Sequence, residues 1–339
     1  MLGCRIAVCA VIVGALAFGF AGAAEEPHLP PSPTLIGPLH RDSQGQLHVA
    51  TPGSGNSRAL CEKAALCVGN GGRYATLSAA LAAAAPGALI EILGGVYHEA
   101  ADIKVPRVTL RGIGGTPHID CSGEPLASDK ACLFLAAPGI TLENLEISGA
   151  AQGACISNEP GTGFTLRRIY CHGSREGVVA AGGAITIEDS QFFDNGWTRA
   201  AHNADFFGDC TLTVRGSIFR DARLGNEFTS GCRKTEISSS TFSSTQGISE
   251  LAFPTGGDTL IYRSTIAKGA GSDGETIIAF ARDGCTHPGA LQLKSVHISN
   301  ARPIAEIRNY DRCTARPIIL DDVSIDGIPP KEIGYITRR

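Results

Sequence analysis

One short pattern recurs from about residue 140 to residue 326: an apolar residue, a polar one, a small or polar middle, and a second apolar residue five positions after the first. Its instances are Leu142 with Ile147, Leu166 with Cys171, Ile187 with Phe192, Val214 with Phe219, Ile237 with Phe242, Ile261 with Ile266, Leu293 with Ile298 and Leu320 with Ile325. Successive instances start 21 to 32 residues apart. A period of that size makes each repeat one structural unit that buries its apolar side only against its neighbours.

The units carry short alternating strand signals such as Ile185-Thr186-Ile187 and Leu212-Thr213-Val214. No long helical periodicity follows residue 90, and the fixed Leu and Asn offsets of leucine-rich repeats are absent. Gly, Ser, Thr, Asn and Asp fill the joins, as turns require. Like residues recur at like offsets: Phe192, Phe219 and Phe242 form one expected internal ladder, and Ser190, Ser217, Ser240 and Ser264 another.

The Tyr74–Leu81 and Pro86–Glu99 stretches read as a cap helix and a first strand. With the repeats, they make the chain resemble right-handed parallel β-helix proteins of the pectate-lyase-like superfold, and more weakly pectin methylesterases. The resemblance implies an all-β, single-stranded right-handed parallel β-helix (solenoid) with a short N-terminal cap helix. The expected organisation is a signal peptide over 1–24, a Pro/Gly-rich leader over 25–57, one β-helix domain over 58–330 and a C-terminal tail over 331–339. The signal rests on Arg5, the apolar run Ile6–Phe20 and the small residues Ala21-Gly22-Ala23. That run is short for a membrane span.

Ten cysteines follow the expected signal. An even number in an exported chain suggests disulfides. Repeat phase pairs Cys210 with Cys232 and Cys285 with Cys313, because each pair falls at nearly the same place on adjacent units. Cys61–Cys67, Cys121–Cys132 and Cys155–Cys171 are the remaining expected pairs. A formal net charge of −4, with no basic stripe, argues against a nucleic-acid partner. A monomer is expected.

Acidic residues recur just before apolar strand positions: Asp205 before Phe206, Glu227 before Phe228, Glu250 before Leu251. With coils ~4.8 Å apart, these three would form an outward row of carboxylates, able to hold Ca²⁺ or to keep one member protonated. No other cofactor is implied. Trp197, Arg199, His202 and Asn203 lie in one loop with Asp205, and Arg223, Asn226, Arg233 and Lys234 lie on the next unit. His202, Asp205, Arg223, Glu227, Lys234 and Glu250 are the candidate catalytic residues. Trp197, Arg199, Asn203, Asn226 and Arg233 are candidates for holding substrate, with Trp197 offering a sugar-stacking face.

Asp205-Phe206-Phe207-Gly208 is similar to the Asp-Phe-Ile-Phe-Gly stretch of pectin methylesterases, which implies a nucleophilic role for Asp205 alone. The family's Gln-Ala-Val-Ala and Leu-Gly-Arg-Pro-Trp segments are missing. His202-Asn203 and Gly225-Asn226-Glu227 also resemble turns of uncharacterised secreted β-helix proteins. The expected function is action on an acidic polysaccharide by lyase-type cleavage, in the periplasm or outside the cell. The alternatives are two-carboxylate hydrolysis, a methylesterase-like hydrolase and a non-catalytic carbohydrate-binding or envelope protein.

Overall fold

The computed structural model describes residues 61–314 and 316–339, together with the backbone of two short strands, Leu39–Arg41 and Leu47–Val49, which pair antiparallel. The expected signal over 1–24 and the rest of the leader lie outside the described residues.

The body is a parallel β-solenoid of about 11 turns, its 26 strands joined into one continuous hydrogen-bonded sheet. Each full turn visits three faces. One turn runs Leu89–Leu93, Val96–His98, Ala101–Ile103; the next runs Thr109–Ile113, His118–Asp120, Ala131–Leu135. Each strand pairs in parallel with its counterparts one turn away.

The five-residue spacing has a geometric cause. Side chains on a straight strand alternate sides, so residues i and i+5 would point in opposite directions. Here the second residue after each first-face anchor takes a left-handed conformation: Asn144, Arg168, Asp189, Gly216, Ser239, Arg263, Ser295 and Asp322 all have φ between 48° and 58°. This single bend turns the chain from the first face to the second and restores the inward direction, so Leu142 and Ile147 are both fully buried. Asn, Asp and Gly tolerate that conformation best. Asn144 also uses it to donate from Nδ2 to the Gly112 and Gly115 carbonyls at 2.9 and 2.8 Å.

Both expected ladders form. Phe192, Phe219 and Phe242 stack at 5.0 and 5.3 Å between centroids, each step 6° from parallel. Ser217, Ser240 and Ser264 each accept the backbone N–H of the preceding ladder serine at 3.2 Å. The same hydroxyls donate to the carbonyl two residues back. The ladder therefore satisfies buried backbone groups at a corner where strand pairing lapses.

The cap helix, Leu77–Ala83, closes the N-terminal end of the core with Leu77, Ala80 and Leu81. Thr76 caps it by accepting from Ala79 N, and the Glu99 carboxylate accepts from Leu77 N and Ser78 N. A carboxylate at that end also meets the positive pole of the helix dipole.

Four expected disulfides are present: Cys61–Cys67, Cys155–Cys171, Cys210–Cys232 and Cys285–Cys313. The fifth is not. Cys121 and Cys132 are buried free thiols, with Cys121 Sγ donating to the Ser148 carbonyl at 3.1 Å. Cys121 directly follows the second-face strand and Cys132 lies within the third-face strand of the same turn, so repeat phase never aligned them. The expected tail also proves structured. Lys331–Ile333 and Ile336–Arg338 pair in parallel with Glu306–Arg308 and Ile318–Leu320 and extend the solenoid to its last residues.

Candidate functional site

Strand register decides which acids are neighbours. On the third face Asp205 pairs with Val179 on one side and Thr229 on the other, while Phe228 pairs with Leu251. Glu227 is therefore level with Asn203 and Glu250, two positions away from Asp205. The expected outward row of Asp205, Glu227 and Glu250 does not exist.

Glu227 and Glu250 turn inward at the corner before the third face and are both fully buried. Glu227 Oε1 accepts from Ala222 N at 2.9 Å and Oε2 accepts from Asn203 Nδ2 at 2.5 Å. Glu250 faces Lys268, whose Nζ lies 3.3 Å from both carboxylate oxygens and also donates to Ile248 O and Ser272 Oγ. Asn195 continues the strip, donating to Asn203 Oδ1 at 3.0 Å and to the Cys171 carbonyl at 3.1 Å. This is an internal polar spine whose members satisfy one another. Burial lifts Glu227 well above its usual range and holds Glu250 up at about 8. Neither acid can share an outer-face ligand with Asp205, so the expected calcium set of Asp205, Glu227 and Glu250 has no geometry to bind through, and neither glutamate is placed to act on substrate.

The other candidates separate. His202 Nδ1 accepts the Asn226 backbone N–H at 3.0 Å, and burial, with Arg282 adding repulsion, pushes it down to about 4. It is a neutral ring whose basic nitrogen is already engaged. Arg223 grips Asp194 with two hydrogen bonds of 2.8 and 3.0 Å and lies 5.0 Å over the Trp197 ring. Trp197 Nε1 donates to the Asp194 carbonyl, so the ring is held in a corner cluster. Arg199 and Arg233 form exposed ion pairs with Asp273 and Asp209. Lys234 is exposed on the first face, between Thr211 and Asp258. Asn203 belongs to the internal spine. Asn226 supports the outer face from its edge, donating to Thr229 Oγ1 at 3.1 Å.

Asp205 alone keeps the expected setting. It points outward from the third face in a column running Ser157, Val179, Asp205, Thr229, Ala252. Burial, reinforced by the charge of Glu176, raises its carboxyl to about 6. Both protonation states are then populated near neutrality. Beside it lies a groove of about 310 Å³ lined by Lys130, Ser157, Arg175, Glu176, Val179 and Phe207 among others. Arg175 pairs with Glu176 at 2.9 Å, and Phe207 is 46% exposed, a large apolar ring at the groove's edge. Sequence reasoning missed Glu176, Arg175, Lys130 and Ser157. They carry no motif, and only the stacking of turns brings them into one groove.

No family model matches the chain, and no curated protein matches it. Solved structures do. The pectate lyase Pel9A superimposes with a TM-score of 0.57 at 13% identity, covering 76% of this chain and 71% of that one. Pectin methylesterase PemA from Erwinia chrysanthemi gives a TM-score of 0.51 at 10% identity, covering 81% and 94%. At that identity the likeness is one of fold, and it establishes a pectate-lyase-like parallel β-helix.

Proposed function

We propose that this chain is an enzyme acting on a uronate polysaccharide of the pectin class, bound along the outer groove of the third face, with Asp205 as the reacting carboxyl. The observation that carries the reading is the position of Asp205. It is an outward, half-buried acid poised near pH 6, flanked by a second carboxylate and next to a groove offering an exposed aromatic ring and two cations. Sugar rings stack on aromatic faces, and Lys130 and Arg175 suit the carboxylates of uronate residues. Four disulfides suit an oxidising, exported setting. Among the described residues no helix is long and apolar enough to cross a membrane.

Carboxyl chemistry is favoured over β-elimination. A lyase needs a base for the C5 proton and a cation or arginine on the uronate carboxylate. The groove has cations for the carboxylate but lacks the base: His202 is too weak, and Lys234 stands on the first face, away from the groove. Ionised Asp205 can attack the uronate ester carbonyl, expelling methoxide that takes its proton from water, and a second water then hydrolyses the acyl-enzyme anhydride to release the uronate and restore the carboxylate. This agrees with the similarity of Asp205-Phe206-Phe207-Gly208 to the methylesterase stretch.

The test is to incubate the protein with methyl-esterified and de-esterified pectin, following methanol release and unsaturated-uronate absorbance in parallel. Methanol released by the native chain and lost in Asp205→Asn is the expected result. Unsaturated product insensitive to that substitution overturns the assignment. Binding without either product identifies a carbohydrate-binding protein.

A further inference from the structure

On the second face, three adjacent turns bring titratable side chains into one buried cluster. His118, Glu146 and His172 stand there on successive turns, with His118 directly across from Glu146 and His172 across from Ser148. All three are buried, at 7%, 2% and 1% exposure. One ligand atom from each lies within 4.8 Å of the other two. We propose that His118, Glu146 and His172 form a binding site for a divalent transition ion of the zinc class, separate from the Asp205 groove and independent of the proposed function.

The donor set selects the ion. Two imidazoles and a carboxylate supply three of the four positions zinc takes, whereas calcium and magnesium require six or more ligands dominated by oxygen. Donors around a tetrahedral zinc stand roughly 3.3 Å apart, given its bond lengths of about 2.0 Å. His172 Nε2 and Glu146 Oε1 are already 3.0 Å apart. The remaining separations close with side-chain adjustments on the order of 1 Å.

The surroundings fit a supporting shell. Ser148 Oγ lies 2.8 Å from His118 Nε2 and can orient that ring. Phe193 stacks against the His172 ring at 4.9 Å on the side away from the cluster. Such contacts fix ligand orientation and exclude solvent. Asp120, the neighbour of Ser148 on the adjacent strand, adds negative charge nearby. The ion would tie three consecutive turns together along their hydrogen-bonding direction. Binding then adds directly to folding stability.

The experiment uses the full chain, purified without a histidine tag and stripped with chelator, titrated with Co²⁺ as an optical probe and then with Zn²⁺. One Co²⁺ per chain, giving visible absorption of a tetrahedral nitrogen–oxygen site that Zn²⁺ abolishes, is expected. His118→Gln and His172→Ala should each weaken binding by at least about 100-fold, because losing a direct ligand exceeds the loss from a supporting contact. His297→Ala, on the same face far along the solenoid, should change nothing. Circular dichroism checks that each variant is folded, and His118→Gln preserves side-chain bulk where His172→Ala fails. No cobalt spectrum in the native chain overturns the proposal. So does equal binding by folded His118→Gln. A sulfur charge-transfer band lost in Cys121→Ser would move the site to the buried thiols and overturn it equally.

Discussion

Glu227 reaches Asn203 on the preceding turn, its Oε2 2.5 Å from Asn203 Nδ2, and not Asp205. This one contact separates the protein's acids into two populations. Glu227 and Glu250 hold the interior of a corner together, and Asp205 faces solvent from the adjoining sheet.

The interior acid sets a pH dependence for stability. Burial raises the folded-state pKa of Glu227 above the 4.5 of an ordinary glutamate. Below about that pH, both folded and unfolded chains hold the proton and the folded state keeps its full advantage. Above it the unfolded chain releases the proton first, so stability falls as pH rises towards the folded value. Urea midpoints should therefore decline from pH 5 to pH 8. Glu227→Gln, which keeps the shape and removes the ionisation, should make that decline shallower, leaving the share owed to the raised Asp205 and Glu250. An equal slope in the variant would assign the effect elsewhere.

Breaking the neighbouring pair is a harsher change. Glu250 and Lys268 are both fully buried. Lys268→Met leaves Glu250 buried without its cation, and a loss of about 3–5 kcal/mol is expected in equilibrium unfolding. The double substitution Glu250→Leu with Lys268→Met should recover much of that loss, since a hydrophobic pair leaves no charge to desolvate. A double variant as unstable as the single would show that the spine's hydrogen bonds to Ile248 and Ser272 dominate.

Asp205 should govern the pH–rate profile. With a carboxyl at about 6, a nucleophilic role predicts activity rising with pH through that value, the ionised form being the reactive one. Glu176 contributes to the shift, so Glu176→Gln removes a repelling charge and moves the rise to lower pH. Asp205→Asn should lower kcat by at least about a thousandfold, as removal of a covalent nucleophile does. An unmoved profile in Glu176→Gln would disconnect the two acids.

How much of this was legible in the chain follows from what a repeat can encode. The apolar anchors, the Phe and Ser ladders and the Cys210–Cys232 and Cys285–Cys313 disulfides all depend on one offset per turn, and that offset is visible in the sequence. The acids depend on two offsets at once: their distance from the anchor, and the length of the turn leading into the third face. The turn before Asp205 holds three more residues than the one before its partner Thr229, and counting from the nearest apolar residue placed Asp205 level with Glu227 rather than with Thr229. The same blindness hid Glu176 and Arg175, which only the stacking of turns brings into the groove. Cys121 and Cys132 failed for a related reason: they sit within one turn, where phase carries no information.

The ladders make the last prediction. Phe219 packs between Phe192 and Phe242 at 5.0 and 5.3 Å and meets Phe228 edge-on at 5.2 Å. Phe219→Ala removes a ring with partners on three sides in a solenoid whose turns cannot close inward independently, so a cost of about 3–5 kcal/mol is expected. Arg223→Ala, which breaks a bidentate but half-exposed pair with Asp194, should cost under about 1 kcal/mol. The two differ in a second readout. Arg223 lies over the sole tryptophan, Trp197, so its removal should change the fluorescence of the folded chain while leaving the unfolding midpoint nearly unmoved. Phe219→Ala should do the reverse. A large stability loss in Arg223→Ala would mean that the Trp197 corner, and not the aromatic ladder, limits how the turns hold together.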